Sequence, residues 1–242
     1  MKIAIISDIH GNLEALEAVA GELERLGVRE LVCLGDIVGY GTNPRECIDF
    51  VAERALATVA GNHDLAAVLE GASDFFNPAA REAAAWTARE LRASDRAFLA
   101  SLPVQARLDD LTMELVHGEC VMPRMFEYIQ DCVDGYRALQ VVQPGNICFV
   151  GHTHVAVCFR EPGPFYDDGS QCHFEPEGRA VVNVGSVGQP RDGDRRACFA
   201  VFDSAERTLE IRRVAYDYET AARKIREAGL PQVLGDRLRF GR

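Results

Sequence analysis

The chain alternates between short apolar runs and segments whose apolar residues recur at helical spacing. After the run KIAII, one helical face is predicted from Leu13, Leu16, Val19, Ala20, Leu23 and Leu26, with Gly27 as the stop. The runs ELVCLGD and LATVAGNHD follow. Between them, Asn43 can cap a helix and Pro44 suits its first turn. Strand, helix, strand, helix, strand at this spacing predicts βαβ units and a parallel sheet.

The remaining residues have a different pattern. Residues 65–102 are helical and rich in alanine, and we expect a helical insertion that packs over one sheet edge and walls a site. VQARLDDLTMELVHG predicts a hairpin that turns at Asp109 and Asp110. Five later runs suggest a second, mixed sheet: NICFVGH, AVCFR, RAVVNVG, ACFAVFD and TLEIRRV. A helix over 218–228 precedes a basic, ragged tail, and with no linker in view we expect one domain over 1–242.

Polar residues that can bind metal ions follow directly after the apolar runs. They are Asp8 and His10, then Asp36, then Asn62, His63 and Asp64, and later His117, His152 and His154. Side chains two positions apart on an extended chain point the same way, so Asp8 and His10 can converge on one point. In open α/β sheets, ligands bind beyond the carboxyl ends of the strands. Five of the six histidines therefore fall where one site would be assembled.

Each of these motifs has a plain structural explanation when it is taken alone. Asp36 in GD is common turn chemistry, and His117 is as easily a satisfied core histidine as a ligand. Together and in this order they favour a metal site. Carboxylate, imidazole and amide oxygen suit Mn, Fe, Zn, Co or Ni, whereas magnesium would use mostly oxygens. There are too many ligands for one ion, and a carboxylate in the set can bridge two ions about 3.5–4 Å apart.

The order D-x-H, G-D, G-N-H-[DE], H and G-H-x-H resembles the signature of the calcineurin-like metallophosphoesterase superfamily over residues 8–154. The stretch NVGSVGQPRDGDRRACFAVFD resembles its small bacterial and archaeal phosphodiesterase branch, which is related in part to diadenosine tetraphosphatases. The resemblance implies an α/β (α+β) fold, a four-layer α-β-β-α sandwich. Its dinuclear metal site would lie at the rim between two mixed sheets.

The resemblance also implies a role for each site residue. One ion would be held by Asp8, His10 and His154, the other by Asn62, His117 and His152, with Asp36 bridging both. A hydroxide between the two ions would attack phosphorus in line, and manganese is the favoured metal. His63 would stabilise the transition state or protonate the leaving oxygen, and Asp64 would orient His63. Arg191 would contact a substrate phosphate; the alternative is an arginine that ties its loop to Asp192 or Asp194.

Composition limits the partners. A net charge of −11 argues against stable binding of nucleic acid, and the opening apolar run is too short to span a membrane. The eight cysteines include no C-x-x-C pair and are expected to be free thiols in a reducing compartment. We therefore expect a cytoplasmic protein with a small phosphorylated, nucleotide-type substrate. A homo-oligomer is compatible with the sequence.

These observations predict a metal-dependent phosphoesterase that hydrolyses phosphodiester bonds. A phosphomonoesterase or phosphoprotein phosphatase shares the same motifs and stays an alternative. A nuclease fits the acidic composition less well. A non-catalytic scaffold of the same fold is the alternative from another class, although a scaffold has no need of His63. Substrate selectivity is expected to lie in residues 65–102 and 119–131.

Overall fold

The computed structural model describes residues 1–162, 166–167 and 170–242, and these form twelve strands and eight α-helices. The strands are β1 (Lys2–Ile6), β2 (Glu30–Cys33), β3 (Ala55–Thr58), β4 (Gln105–Leu108), β5 (Met113–Val116), β6 (Ile147–Val150), β7 (Val157–Glu161), β8 (Tyr166–Asp167), β9 (Gln171–His173), β10 (Arg179–Asn183), β11 (Ala197–Asp203) and β12 (Thr208–Val214). The helices are α1 (Leu13–Leu26), α2 (Pro44–Arg54), α3 (Asn62–Ala66), α4 (Pro78–Glu90), α5 (Ala93–Ser101), α6 (Cys132–Val141), α7 (Tyr218–Glu227) and α8 (Gln232–Phe240).

The strands form two mixed sheets. The first has the order β3-β2-β1-β11-β12-β9, and the second has the order β4-β5-β6-β10-β7-β8. Strands β1, β2 and β3 are parallel, as predicted. The runs ACFAVFD and TLEIRRV were expected in the second sheet, but they are β11 and β12 of the first, with β11 antiparallel to β1. Alternating hydrophobicity identifies a strand, but it does not specify which sheet the strand joins.

The side chains of β1 show why the fold has four layers. Ile3 and Ile5 lie in the core between the sheets, whereas Ala4 and Ile6 pack on the side covered by α1 and α2. Phe149 and Phe202 meet in the core between the sheets, with ring centroids 5.6 Å apart. Helix α6 covers the outer face of the second sheet. This confirms the predicted α-β-β-α sandwich, and burial on both faces explains why β1 is a continuous apolar run.

The predicted helix ends are confirmed in part. Asn12 caps α1 by accepting a hydrogen bond from the backbone N–H of Ala15 at 3.2 Å, and Gly27 ends the helix with φ of 68°. Asn43 precedes α2, but its side chain does not cap the helix. Instead its amide group donates to Glu46 and its carbonyl oxygen accepts from Lys224 of α7. A contact between distant parts of the chain has replaced the local cap.

The C-terminal tail is a helix, so the prediction of a ragged terminus was wrong. Helix α8 packs with α7 through Ile225, Leu234 and Leu238. The same cluster contains Ala83 of α4 and Tyr40, which lies in the loop between β2 and α2. Leu234 and Leu238 are four positions apart and share one helix face, which is a signal that the basic residues around them obscured. The C-terminal helices therefore support the loop that carries Tyr40.

Four smaller predictions concern the helical segment after β3, the hairpin, the cysteines and membrane-spanning helices. The segment from α3 to α5 returns beside the edge strand β3, where the N–H of Ala60 donates to the carbonyl oxygen of Pro103 at 2.7 Å. Strands β4 and β5 form the predicted hairpin, joined by a 3₁₀ turn over Asp109–Leu111. None of the eight cysteines, all of which the structure describes, is in a disulfide, and the Sγ atoms of Cys120 and Cys148 lie 3.1 Å apart as thiols that share a hydrogen bond. Within the described ranges, no helix is long and apolar enough to cross a membrane.

Candidate metal centre

The loops after β1, β2, β3, β5 and β6 meet at the rim between the two sheets. Backbone hydrogen bonds hold the loops together: the N–H of Asp8 donates to Gly35 at 3.0 Å and that of His10 to Asp36 at 2.9 Å. The N–H of Gly151 donates to His117 at 2.9 Å and joins β5 to β6 in the same way. The structure therefore brings together the polar residues that the sequence places after separate strands.

Among the residues that the structure describes, three overlapping groups of buried side chains have the spacing of metal ligands, and two of them share no residue. Within each group, ligand atoms lie within 4.8 Å of one another; of these two, one is Asp8, His10 and His154, and the other is Asp36, His117 and His152. Oδ2 of Asp36 lies 3.3 Å from Nε2 of His117 and 3.7 Å from Nε2 of His10, so this carboxylate faces both groups. Oδ1 of Asn62 is buried without a hydrogen-bond partner among the described residues. A buried carbonyl oxygen of this kind is available to a metal ion.

The backbone at the centre adopts conformations that are unusual for residues other than glycine. Asp8, His10, Asp36, His152 and His154 have φ between 50° and 69°. Such left-handed residues cost roughly 1–3 kcal/mol each and cluster at functional sites. The surrounding hydrogen bonds hold them in place.

Two glycines of the motifs allow the carboxylates to approach the backbone closely. A Cβ atom at Gly61 would lie 2.1 Å from Oδ1 of Asp36. A Cβ atom at Gly151 would lie 2.4 Å from Oδ2 of Asp8. The glycine in GNHD and in GHTH is therefore a requirement of the centre itself, since any side chain there would displace a carboxylate.

Electrostatics keep both carboxylates charged although they are fully buried. Burial alone would raise the pKa of Asp8 and Asp36, but nearby histidines, above all His154 for Asp8 and His117 for Asp36, lower the pKa of each carboxyl group. Burial lowers the pKa of His63 to about 4 and that of His152 to about 3, so both rings are neutral at pH 7. Ionised carboxylates and neutral imidazoles such as that of His152 belong to the donor set that divalent transition metals bind.

Comparison with known proteins identifies the family. The sequence model of the calcineurin-like phosphoesterase superfamily domain matches residues 1–207 of this chain. The chain belongs to the calcineurin-like phosphoesterase superfamily. Membership supports a hydrolase that depends on divalent metal ions, and the grouped histidines and aspartates of this chain fit such ions.

Three similar proteins cover almost the whole chain. An uncharacterized protein of Methanocaldococcus jannaschii is 37% identical over 243 residues, which is 99% of this chain and 98% of that protein. The crystal structure of a metallophosphoesterase from Sphaerobacter thermophilus is 40% identical with a TM-score of 0.86 and covers 100% of this chain and 99% of its own. A hypothetical protein from Pyrococcus horikoshii, at 20% identity, a TM-score of 0.82 and coverage of 100% and 98%, shows the same fold. The predicted family and fold are confirmed.

In this phosphoesterase, aromatic rings position His63, and Asp64 does not. The ring of His63 lies between Tyr40 and Phe76, with centroids 4.5 Å from each. Its Nδ1 is buried without a hydrogen-bond partner in the part of the chain that the structure describes. The backbone N–H of His63 donates to Oδ1 of Asp36 at 2.8 Å. The expected hydrogen bond between Asp64 and the imidazole of His63 is therefore not formed among the described residues.

Both oxygens of the Asp64 carboxylate accept hydrogen bonds from backbone N–H groups. These are the N–H groups of Ile37, Val38 and Gly61, at 2.9, 3.2 and 3.0 Å. Burial, with the Asp36 carboxylate adding to it, raises the pKa of Asp64 to about 7. Asp64 thus ties the loop of Asp36 to the loop of His63, a contact across 27 positions that the spacing of GNHD could not reveal.

Arg191 lies beside the centre and does not pair with Asp192 or Asp194. Its backbone N–H donates to the carbonyl oxygen of His154 at 3.2 Å, and its Nη2 donates to Gln189 at 2.9 Å. The guanidinium carbon lies 6.0 Å from the centroid of the Tyr40 ring. Asp192 pairs with Arg213 and Asp194 with Arg196, so the proposed alternative partners are already engaged elsewhere.

Several residues that support the centre were not recognised from the sequence. Asn183 donates to Oγ1 of Thr153 at 2.9 Å and shapes the GHTH turn. The hydroxyl of Ser186 donates to the carbonyl oxygen of Asp8 at 2.8 Å. Both lie in NVGSVGQ, where Asn183 ends β10 and Ser186 follows it, and this position at the end of a strand is the signal that could have identified them. Tyr128 stacks on His152 with centroids 4.1 Å apart, and no sequence pattern indicates this contact.

Proposed function

We propose that this protein is a phosphodiesterase that uses two divalent metal ions. The observation that carries the proposal is the Asp36 carboxylate, which faces both buried ligand groups at once. One ion would be held by Asp8, His10 and His154, and the other by Asn62, His117 and His152, with Asp36 between them. Bound there, divalent ions supply positive charge that neutralises phosphoryl oxygens and lowers the pKa of water.

His63 is the residue of this chain that we propose to act on the reacting phosphate. Its ring lies 4.9 Å from that of His10 and between two aromatic rings, so its direction is restricted. Because the ring is neutral, its N–H is suited to donate a hydrogen bond to charge that develops on a phosphoryl or leaving oxygen. Transition-state stabilisation therefore fits His63 better than general acid catalysis. Asp64 is proposed as a positioning residue that acts through the backbone.

Two grooves that share Tyr128 favour diesters over monoesters. The Phe76 groove is lined by Asn62, Phe76, Tyr128 and His152 among others and has a volume of about 510 Å³. The Arg191 groove is lined by Tyr128, Thr153 and Arg191 among others and has a volume of about 430 Å³. Tyr128 lines both grooves. A phosphodiester carries a substituent on each of two oxygens, and the grooves offer a place for each.

Metal reconstitution with paired substrates tests this function. The protein is stripped with chelator, reloaded with manganese, nickel, zinc or magnesium, and assayed with bis(p-nitrophenyl) phosphate and p-nitrophenyl phosphate. We expect two ions per chain and faster cleavage of the diester, with manganese effective. Faster monoester cleavage would instead indicate a phosphomonoesterase. No cleavage with two ions bound would contradict the catalytic proposal.

A further inference from the structure

The Phe76 groove leads from the metal centre into a region that the chemistry of the centre does not explain. Its lining residues include Asn62 and His152 of the proposed metal centre, together with Phe75 and Phe76. Arg124 and Tyr128, from the segment before α6, also line it. We propose that this groove binds an aromatic ring carried by the phosphate ester, either a nucleobase or a simple aryl group. The inference rests on the proposed function, because it assigns one substituent of the ester to this groove.

The walls expose apolar side chains to a degree that requires an explanation. Phe75 is 99% exposed, Met125 60% and Leu69 52%, and all three line the same groove. Scattered apolar residues are normal on a surface, but a contiguous patch that borders an active centre marks a ligand-binding region. The unused apolar surface indicates an occupant that is itself apolar on its faces.

The charges of the groove select among apolar occupants. Arg124 is the only charged side chain among the described residues that line it, in a chain of net charge −11. The absence of a carboxylate from these lining residues disfavours a cationic group. An aromatic ring with hydrogen-bond acceptors at its edge, such as a nucleobase, suits apolar walls with one arginine.

Aromatic contacts join the groove to the metal ligands. The ring of Tyr128 is stacked on that of His152 at 4.1 Å with an angle of 11° between the planes. Phe76 lies against His63, and Phe126 lies 6.0 Å from the ring of His117. A ring bound in the groove would continue a series of aromatic contacts that ends at the metal centre. Its ester oxygen would then lie on the side of Asn62 and His152.

The segment that carries Phe126, which lines the groove, is held in a strained conformation. Phe126 has φ of 51°, which is unusual for a bulky side chain and is typical of functional sites. A Cβ atom at Gly118 would lie 3.1 Å from the Cα atom of Phe126, so glycine allows this segment to pack on the loop of His117. The segment of Phe126 therefore has a defined position next to the loop of His117, as a segment that determines substrate specificity requires.

Calorimetry on the manganese-loaded protein tests the proposal. The probes are inorganic phosphate, ribose 5-phosphate, phenyl phosphate and adenosine 5′-monophosphate. Since stacking on an aromatic side chain contributes about 1–3 kcal/mol per base, we expect the adenosine compound to bind at least about tenfold more tightly than ribose 5-phosphate. Phenyl phosphate should also bind more tightly than ribose 5-phosphate. Preference for the adenosine compound over phenyl phosphate would assign a nucleobase, and equal affinity an aryl ring.

Variants connect the effect to the groove. In Phe75→Ser and Tyr128→Ala, the affinity ratio of adenosine 5′-monophosphate to ribose 5-phosphate should fall towards one. The control is Val133→Ala, which alters an apolar side chain that is 59% exposed on α6. Equal affinities in the unaltered protein, or a ratio that neither groove variant changes, would overturn the proposal. So would a concentration-dependent dimer that Phe75→Ser abolishes without changing the ratio, because the groove would then serve contact between copies.

A metal-free measurement separates failure of this proposal from failure of the proposed function. If no phosphate compound binds and no ester is cleaved, the proposed function fails. Saturation-transfer NMR of the chelated protein with adenosine and with ribose then tests the groove by itself. Signal transfer to adenosine that Tyr128→Ala reduces at least about threefold would support the groove. Equal transfer to both compounds would overturn it.

Discussion

The metal centre and the Phe76 groove adjoin each other but are built in different ways. At the centre, His117 is fully buried and its Nδ1 pairs with the carbonyl oxygen of Leu34 at 2.8 Å. In the groove, Phe75 is almost fully exposed. The centre consists of buried polar atoms fixed by backbone hydrogen bonds, whereas the groove consists of apolar side chains on surface segments. Substitutions at the centre would therefore break hydrogen bonds between buried polar atoms, whereas substitutions in the groove would change exposed apolar contacts.

The largest effect is expected at the carboxylate between the two ligand groups. Asp36→Asn removes a buried charge that faces both groups, and we expect hydrolysis to fall by at least about 10⁴-fold with loss of at least one ion. Metal analysis and turnover measure the two effects. Asp110→Asn, on the exposed hairpin turn, is the control and should change neither. Normal metal content in Asp36→Asn would contradict the bridging role.

His63→Asn distinguishes a catalytic residue from a metal ligand. His63 also lies within 4.8 Å of ligand atoms of His10 and Asp36, so its role cannot be read from proximity alone. As a stabiliser of the transition state, it should reduce turnover by about 10²–10⁴-fold without changing the metal content. The measurements are single-turnover kinetics and metal analysis of one preparation. A parallel loss of metal would make His63 a ligand.

Two glycine substitutions compare the packing of the two regions. Gly61→Ala would place a methyl group 2.1 Å from Oδ1 of Asp36 and should lower the free energy of unfolding by about 3 kcal/mol. Gly71→Ala, in the groove, meets its nearest heavy atom at 3.5 Å and has only its φ of 78° against it, so about 1 kcal/mol is expected. Urea unfolding measures both. An equal loss would show that the rim is no more tightly packed than the groove.

Asp64→Asn tests the tie between the two loops of the centre. The amide has one acceptor oxygen where the carboxylate has two, so at least one buried N–H of Ile37, Val38 or Gly61 loses its partner. We expect the free energy of unfolding to fall by about 2 kcal/mol, measured in urea against Asp110→Asn. An unchanged free energy of unfolding together with lost turnover would return Asp64 to a direct role at His63.

The smallest effect concerns protons at the centre. Although burial opposes it, the Asp36 and Asp8 carboxylates raise the pKa of His117 to about 10, so the metal-free protein carries a proton there at neutral pH. Ligation requires the neutral ring, and metal binding must release that proton. Affinity for manganese should rise about tenfold per unit between roughly pH 6 and 8. Calorimetry in buffers of different ionisation enthalpy measures the release, and an affinity independent of pH would contradict it.

Sequence reasoning succeeded where the signal is local. Asp8, Asp36 and His117 each follow an apolar run directly, and strand ends in a parallel arrangement meet at one edge, so their proximity could be anticipated. It failed where partners lie far apart in the chain. The side chain of Asp64 suggested a contact with its neighbour His63, yet its hydrogen bonds go to Ile37 and Val38. Likewise β11 resembles any other strand, and only its pairing with β1 places it in the first sheet.

The sequence by itself determined the family, the strand and helix pattern of the first half, and the set of polar side chains at the centre. It could do so because residue type and spacing after a strand are local properties. Only the tertiary structure decided the left-handed backbone of His152 and His154, the aromatic setting of His63 and the groove beside Tyr128. Each of these depends on contacts between segments that are distant in the chain. Their geometry exists only once the two sheets have packed together.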